Sequence, residues 1–223
     1  MTYPANAAEE TDDWAAETEA RVLAEALRLA PERGWTSAMT RAAGAAAGLS
    51  QGETELLLPE GPRDLAALFW RACDAKAATA LADVDPGSLK VRERIRRGVL
   101  AWLDAAMEDE TAMRRLTGFL ALPANAALGV RLGWASADRL WRWAGDRSTD
   151  ENHYSKRALL AGILAGALLV RLSGGQEAAE AHVDRRIEAV MAFERLKGRL
   201  GGLALGERAV GALAWLRYGA LRG

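Results

Sequence analysis

Residues 34–61 read GWTSAMTRAAGAAAGLSQGETELLLPEG and contain the signals that decide the fold. Thr36 and Ser50 are residue types that begin helices, because their side-chain oxygens accept hydrogen bonds from the free N–H groups of a first turn. Gly48 is expected to end the first of these helices, and Pro59 the second. The stretch therefore predicts two short helices joined by a tight turn.

The segment before this stretch has the spacing of one longer amphipathic helix, predicted at residues 12–30. Its apolar residues recur every three or four positions, and Pro31 and Gly34 end the pattern. Residues 1–11 are short, polar and acidic, which is typical of a disordered tail. We therefore expect residues 12–61 to form a three-helix unit. The apolar stripe of its first helix consists of Val22, Leu23, Ala26 and Leu29.

The rest of the chain predicts long helices separated by compact breaks. Half of the residues are hydrophobic and β-branched residues are sparse, which favours an all-α class. No segment alternates between apolar and polar residues as a half-buried strand does. The predicted helices cover residues 62–81, 88–107, 109–120, 124–144 and 150–172, then a helix that follows Gly174 and Gly175 to residue 197, and a last helix at residues 203–221.

The charge, cysteine and hydropathy patterns exclude several classes of protein. A formal net charge of -1 lacks the basic excess of most nucleic-acid binders. Cys73 is the only cysteine, so an intramolecular disulfide and a cysteine-based metal cluster within one chain are excluded. The longest apolar run, residues 158–170, is shorter than the ~20 residues that span a bilayer. The protein is therefore expected to be soluble, or attached only to a membrane surface.

No catalytic or metal-binding constellation stands out in the sequence. His153 and His182 have no further metal-ligand type at a useful spacing, and no Ser-His-Asp set or catalytic pair of carboxylates is recognisable. We therefore predict no enzyme activity, no cofactor and no metal ion.

The three-helix unit resembles the N-terminal unit of TetR-type regulators, but it lacks their DNA-binding chemistry. DNA recognition uses Arg or Lys on phosphates and side chains that reach base edges. Residues 36–64 hold two basic side chains, Arg41 and Arg63, against four carboxylates, and residues 51–58 include two Glu and three consecutive Leu. The resemblance therefore implies a TetR-like fold with a degenerate helix-turn-helix at residues 12–61, while the charge predicts no nucleic-acid partner.

Three further segments carry a more specific resemblance. They read LPANA at residues 122–126, DRLW at residues 138–141 leading into AGD at residues 144–146, and STDENHYSKRALL at residues 148–160. These motifs are similar to those of the ubiquinone biosynthesis accessory lipid-binding protein family, the ninth Coq protein (COQ9-like). Together with the degenerate helix-turn-helix and the C-terminal helix, the resemblance covers nearly the whole chain.

That resemblance implies a function and a domain order. We expect a non-enzymatic accessory protein of ubiquinone biosynthesis that binds an isoprenoid quinone intermediate or a phospholipid and presents the quinone intermediate to a hydroxylase. The family implies a helical lipid-binding domain at residues 62–198, an amphipathic helix at residues 199–223 and, by analogy with TetR-type folds, a homodimer. A bacterial member is expected to be cytoplasmic and peripheral on the inner membrane. The alternative is a TetR-type ligand-responsive transcription regulator.

The start of the helix at residue 150 is the predicted partner-binding patch. In the resembling family this region docks the di-iron hydroxylase that acts on demethoxyubiquinone. Two positions depart from the family pattern, because His153 stands where Trp is common and Glu151 where a large apolar residue is common. Local chemistry alone leaves open a simple capped helix start with a solvated charged face. Carried over by motif, the patch consists of Asp150, Asn152, His153, Tyr154 and Lys156.

The helix after the patch contains many small residues, including Gly162 and Gly166, at a cost of roughly 1 kcal/mol for each Gly. Close helix packing explains them, and so does space for an apolar ligand between helices. The resemblance to a lipid-binding family favours the second explanation. The predicted lipid-binding residues are Leu65, Leu68, Phe69, Leu100, Leu103, Phe119, Ile163 and Gly166.

The last predicted helix combines an apolar stripe with basic charge. From Arg199 onward four Arg stand against Glu207, a composition that suits an anionic membrane surface. Packing on the bundle or on a second subunit is the alternative. A basic run at residues 90–97 is most simply a solvated helix face, with contact to lipid headgroups as the second option. The predicted membrane-binding residues are Leu205, Leu213, Trp215, Leu216 and Arg217.

Overall fold

The computed structural model describes the backbone of residues 6–146 and 151–199, and the side chains of residues 14–146 and 153–192. Within these ranges the α-helices are joined by turns, with one 3-10 turn at Pro86–Ser88 and no strand, so the predicted all-α class is confirmed. The order of the helices is consistent with the TetR-like arrangement. They are α1 (Asn6–Arg33), α2 (Ser37–Ala46), α3 (Gln51–Leu57), α4 (Pro62–Ala80), α5 (Val91–Met107), α6 (Glu110–Ala121), α7 (Ala126–Trp143) and α8 (Glu151–Arg199).

The predicted caps of the two short helices are confirmed. The Thr36 hydroxyl accepts a hydrogen bond from the backbone N–H of Met39 at 3.2 Å. At the start of α3, the Ser50 hydroxyl accepts from the N–H of Glu53, whose carboxylate accepts in turn from the N–H of Ser50 at 2.8 Å. Such a reciprocal pair satisfies two N–H groups that the first helical turn leaves free. Local side-chain chemistry therefore sets where both helices begin.

Helix α1 is longer than predicted at both ends. It begins at Asn6, inside the stretch expected to be a disordered tail, and it continues through Pro31 to Arg33. Pro31 lies in the last turn, and only two helical residues follow it. Its missing N–H costs one helical hydrogen bond, to the carbonyl of Leu27, without preventing the helix from reaching Arg33. The helix closes at Gly34, whose N–H donates to the carbonyl of Ala30 and whose φ is +62°.

The three-helix unit is continuous with the helices that follow it. Helix α1 packs against α2, α4 and α6, and α2 also packs against α4. Trp35 stacks on Phe69 with ring centroids 5.8 Å apart, and its indole N–H donates to the carbonyl of Ala112 at 3.2 Å. Residues Met1–Asp184 accordingly form one compact unit. Arg185–Gly223 form a second unit, of which helical backbone is described as far as Arg199.

A buried polar network fixes the crossing of α4, α5 and α7. The carboxylate of Asp74 accepts hydrogen bonds from the Trp102 indole at 2.9 Å, the Ser136 hydroxyl at 2.6 Å and the Arg139 guanidinium at 2.5 Å. The Trp70 indole donates to the Ser136 oxygen at 2.8 Å. Burial raises the pKa of the Asp74 carboxyl, while these donors act in the opposite direction. One carboxylate thus connects three helices that are far apart in sequence.

Helix α8 is interrupted at Gly175, where φ is +78°, and its chain folds back. A Cβ atom built on Gly166 would lie 2.9 Å from Nε2 of His182, sixteen residues later. In a straight helix those residues would be about 24 Å apart. The close approach therefore confirms the predicted break at Gly174 and Gly175. Arg96 on α5 holds the returning segment through the carboxylates of Glu180 at 3.0 Å and Asp184 at 2.7 Å.

Candidate partner and lipid sites

A buried ion cluster joins the end of α7 to the start of α8. The side chain of Arg157 is only 2% exposed, and its guanidinium donates to Asp138 at 2.5 Å and to Asp146 at 3.2 Å. It also donates to the backbone carbonyl of His153 at 3.2 Å. A buried cation is tolerated when it is paired and hydrogen-bonded in this way. Asp138, Asp146 and Arg157 of the sequence motifs therefore act as a structural connection between two helices.

Lys156 is engaged in the same corner. Its ammonium lies 2.7 Å from a carboxylate oxygen of Asp146 and 5.4 Å from the ring centroid of Trp141. The Trp141 indole donates to the backbone carbonyl of Lys156 at 3.0 Å. This predicted docking residue thus contributes to the corner itself, and less than a third of its side chain is exposed.

An aromatic patch with exposed apolar surface lies beside the ion cluster. We define it as Val130, Trp134, His153 and Tyr154, of which Trp134 and His153 are half-buried. Tyr154 is 62% exposed, and its ring lies 6.1 Å from Trp134 and 5.2 Å from His153. Val130, one turn before Trp134 on α7, is 73% exposed. His153 and Tyr154 were predicted from the sequence, whereas Val130 and Trp134 were not. The spacing of four residues between Val130 and Trp134 is visible in the sequence, but the contact of Trp134 with Tyr154 of α8 depends on tertiary packing.

The remaining predicted docking residues, Asp150 and Asn152, have side chains outside the described residues. Of the predicted set, the structure therefore brings His153 and Tyr154 together at the surface and directs Lys156 towards Asp146. Their role in binding a partner stays a prediction.

The LPANA turn also has a structural role. The Asn125 amide donates to the carbonyl of Phe119 at 3.0 Å, and its side-chain oxygen accepts from Arg63 at 3.0 Å. Arg63 further donates to the carbonyl of Ala124. This motif therefore fastens the turn between α6 and α7 to the start of α4. These hydrogen bonds also engage Arg63, which is one of the two basic side chains between residues 36 and 64.

The predicted lipid-binding residues lie in three different environments. Leu65, Leu68, Phe69, Leu103 and Ile163 are buried in the core, and Phe119 and Gly166 are partly buried. Leu100 lines an open groove of about 590 Å³ between α4 and α5, called here the α4–α5 groove. A smaller cleft of about 30 Å³ adjoins it and is lined by both Leu100 and Leu103. The apolar lining of the α4–α5 groove is Ala80, Leu81, Val84, Leu100, Ala101 and Ala105.

The predicted lipid residues thus do not line one common cavity in the described part of the chain. Small side chains at Ala80, Ala101 and Ala105 leave the groove open where α4 and α5 face each other. Of the residues that line the groove, only Leu100 was predicted from the sequence as a lipid-binding residue. Lipid contact by any of these residues stays a prediction.

The predicted membrane-binding residues, Leu205, Leu213, Trp215, Leu216 and Arg217, lie outside the described residues. Among the described residues, His153–Ala192 is helical and apolar enough, with a mean hydropathy of 1.8 in its best window, to cross a bilayer by length and composition. Core helices of soluble proteins meet the same criterion, and this stretch folds back at Gly175.

The α2–α3 corner has the close packing of a helix-turn-helix and an acidic outer surface. A Cβ on Gly44 would lie 2.2 Å from the Thr54 hydroxyl oxygen, so the two helices approach as closely as glycine allows. Glu53, Glu55 and Leu56 point outward from α3, and Leu56 is 83% exposed. Carboxylates at this surface oppose contact with a phosphate backbone.

Cys73 is a structural residue of α4. It is buried, and burial raises the pKa of its thiol to about 12, so the thiolate that nucleophilic chemistry requires does not form near neutral pH. Within the described residues, no three His, Cys, Asp or Glu side chains are grouped as metal ligands would be.

Comparisons with known proteins agree with the resemblance inferred from the motifs. The family model named COQ9 matches residues 126–194, which include α7 and most of α8. The mitochondrial ubiquinone biosynthesis protein COQ9 of Rattus norvegicus is 28% identical over 180 residues, covering 76% of this chain and 57% of the relative. The same protein is 28% identical in Bos taurus and 27% identical in Homo sapiens, covering 76% of this chain and 56% of each relative.

The resemblance to COQ9 proteins that the motifs predicted is therefore confirmed. The chain spans little more than half the length of these curated relatives.

Proposed function

We propose that this COQ9-like chain is a non-enzymatic lipid-binding accessory protein of ubiquinone biosynthesis. In this proposal it binds isoprenoid quinone intermediates at a membrane and presents them to a pathway hydroxylase. The relatives that match it are named ubiquinone biosynthesis proteins, which supports the pathway. The protein acts on the cytoplasmic face of the inner membrane, as a homodimer, with the basic C-terminal segment, for which the sequence predicts a helix, at the lipid surface.

The observation that carries the partner-binding part is the exposed aromatic patch within the stretch that matches the COQ9 family model. Tyr154 and Val130 present aromatic and apolar surface to solvent beside the half-buried Trp134. Such surface is the chemistry that dominates binding energy at protein interfaces. The ion cluster around Arg157 holds the two helices beneath them. A surface that is held in place before binding loses less conformational entropy when the partner docks. These features support a rigid docking site for the hydroxylase.

The homodimer is supported by a second exposed face. On the first half of α8, Leu159 and Leu169 are large apolar side chains that remain exposed, and Gly162 and Ala165 lie exposed between them. Small residues beside large apolar ones let two helices approach closely. A second copy of the chain is the occupant expected by analogy with TetR-type folds.

The pathway role is tested by deleting the gene and measuring the quinones extracted from the cells. We expect ubiquinone to fall and an unhydroxylated precursor to accumulate. A plasmid with the unchanged gene should restore ubiquinone, whereas Tyr154→Ala should restore much less. The matched control is Leu56→Ala, which removes an exposed apolar side chain far from the patch in sequence. Normal quinone content in a clean deletion would contradict the proposal.

A ligand-responsive transcription regulator is the second candidate, favoured by the close packing of Gly44 against Thr54 in the α2–α3 corner. The acidic residues on α3 argue against it. A gel-shift assay with the DNA upstream of the gene separates the two. We expect no retardation at physiological salt, and tight, salt-sensitive, sequence-selective binding would favour the regulator.

A further inference from the structure

The α4–α5 groove combines an apolar wall with an uneven distribution of charge. Its volume of about 590 Å³ lies within the range of known small-molecule sites. Four of the five charged side chains at its edge are paired. Lys76 pairs with Glu108 at 2.6 Å, and Arg96 pairs with two carboxylates of α8. Asp104 lies 3.8 Å from the guanidinium of Arg171 on α8. None of these positions offers a free cation to a ligand.

Arg97 differs from these neighbours. Its side chain is exposed at the groove, and among the described residues no hydrogen bond or ion pair engages its guanidinium. Asp104, two helical turns further along α5, is the nearest carboxylate of the lining on the same helix face, about 10 Å away along the axis. Asp104 is paired with Arg171, so the unpaired guanidinium of Arg97 is the charge that attracts an anion to its end of the groove.

We propose that the α4–α5 groove binds an anionic lipid amphiphile, with the head group at Arg97 and the hydrocarbon chain along Leu100, Ala101 and Ala105. The inference deepens the lipid-binding part of the proposed function, because it assigns a site and a ligand class. Guanidinium groups recognise both carboxylates and phosphates, so a fatty acid and a phosphate-headed lipid share the required chemistry. The free cation selects such anions over neutral lipids of the same chain length.

The site also explains part of the basic run at residues 90–97. Arg94 donates to the carbonyls of Leu89 and Ala144, and Arg96 pairs with α8, so both have structural roles. Arg97 is the member of the run that lines the groove and is still free to bind a ligand. Within this basic run, Arg94 and Arg96 therefore stabilise the fold, and Arg97 forms the proposed head-group site.

The test is calorimetric titration of the full chain with dodecanoate, dodecyl phosphate, dodecanol and inorganic phosphate, with the amphiphiles below their micelle-forming concentrations. We expect both anions to bind more tightly than dodecanol, and inorganic phosphate alone to bind weakly. Arg97→Gln should weaken both anions about tenfold and leave dodecanol unchanged, because one charge-assisted contact is lost. The matched control is Arg92→Gln, an exposed cation on the same helix that does not line the groove.

A second pair of variants tests the chain-binding wall. Ala101→Leu should fill the groove and weaken all three amphiphiles, whereas Ala78→Leu, an exposed position of α4 outside the groove, should not. Circular dichroism confirms that each variant is folded. Tighter binding of dodecyl phosphate assigns the site to phosphate-headed lipids, and tighter binding of dodecanoate assigns it to fatty acids.

Equal binding of dodecanol and the anions, or unchanged affinity in Arg97→Gln, would overturn the proposal. The quinone measurement in the deletion strain does not depend on this result. A result that contradicts lipid binding in the groove can therefore be distinguished from a result that contradicts the proposed pathway role.

Discussion

Two helix corners of this protein are built on opposite principles. In the α2–α3 corner, Gly44 and Thr54 are in direct steric contact and the charged side chains point outward. In the α7–α8 corner, Arg157, Asp138 and Asp146 are drawn inward, and the aromatic side chains point outward. The first corner is held by shape, and the second by buried charge.

The difference shows how one chain assigns different tasks to similar local geometry. Steric packing needs no polar group, so the outer surface of α3 can be acidic, and its carboxylates oppose contact with a phosphate backbone. Burying the charges of the α7–α8 corner leaves its exterior available for Tyr154 and Trp134. Each corner therefore predicts a different sensitivity to mutation.

The largest effect is expected from breaking the buried ion cluster. Arg157→Met leaves the carboxylates of Asp138 and Asp146 without their buried partner, which should lower the free energy of unfolding by about 3–5 kcal/mol. Urea denaturation followed by tryptophan fluorescence measures the change. The control is Arg142→Met, which removes a 72% exposed partner of the same Asp138 and should cost less than about 1 kcal/mol. Similar losses in the two variants would mean that the α7–α8 corner does not depend on buried charge.

The next effect tests the steric contact of the α2–α3 corner. In Gly44→Ala, the new methyl group would meet the Thr54 side chain at 2.2–3.0 Å, so the helices must separate, at a cost of about 1–3 kcal/mol. Gly52→Ala on α3 is the control, because open space surrounds that position and alanine favours the helix. Adding Thr54→Ala to Gly44→Ala should recover part of the loss. If thermal unfolding shows that Gly44→Ala and Gly52→Ala are equally stable, the close contact between Gly44 and Thr54 does not hold the corner together.

A smaller effect tests whether glycine packing also matters inside α8. Within one chain open space surrounds Gly162, so Gly162→Ala should raise the free energy of unfolding of the separated monomer by up to about 1 kcal/mol through helix propensity. Gly166→Ala should gain less than Gly162→Ala, or lose stability, because its methyl group would lie 2.9 Å from His182. His182 can move at modest cost, which makes the expected difference small. If Gly166→Ala is at least as stabilising as Gly162→Ala, the two halves of α8 are not in close contact there.

The smallest effect on stability is expected at the aromatic patch. Tyr154→Ala removes an exposed ring and should change the free energy of unfolding by less than about 0.5 kcal/mol. The same variant should nevertheless lose most of its capacity to restore ubiquinone. A large loss of stability would assign Tyr154 to the fold of the corner, and its effect on quinone content would then be indirect.

Sequence reasoning succeeded where the controlling interactions are local. Thr36, Ser50 and Gly175 mark helix starts and a break through chemistry within a few residues, and each lies where it was predicted. The prediction that α1 ends before Pro31 was wrong, because a proline near the end of a helix does not always stop it at that residue.

The candidate sites were predicted less completely. Apolar residues at helical spacing look the same whether they line a ligand site or the core, and Leu65 and Phe69 turned out to be core residues. The α4–α5 groove depends on which small side chains of two helices face each other. Local sequence patterns do not show which residues of separate helices will face each other.

By itself the sequence determined the all-helical class, the caps and breaks, the acidic α3 and the COQ9-like motifs, because each depends on neighbouring residues or on composition. Tertiary structure alone decided that Arg157 and Asp138 of the motifs are buried, and that Trp134 joins Tyr154 at the surface. It also decided that Arg97 faces a groove. The physical reason is that burial and pairing are properties of helix packing, which brings together side chains that are distant along the chain.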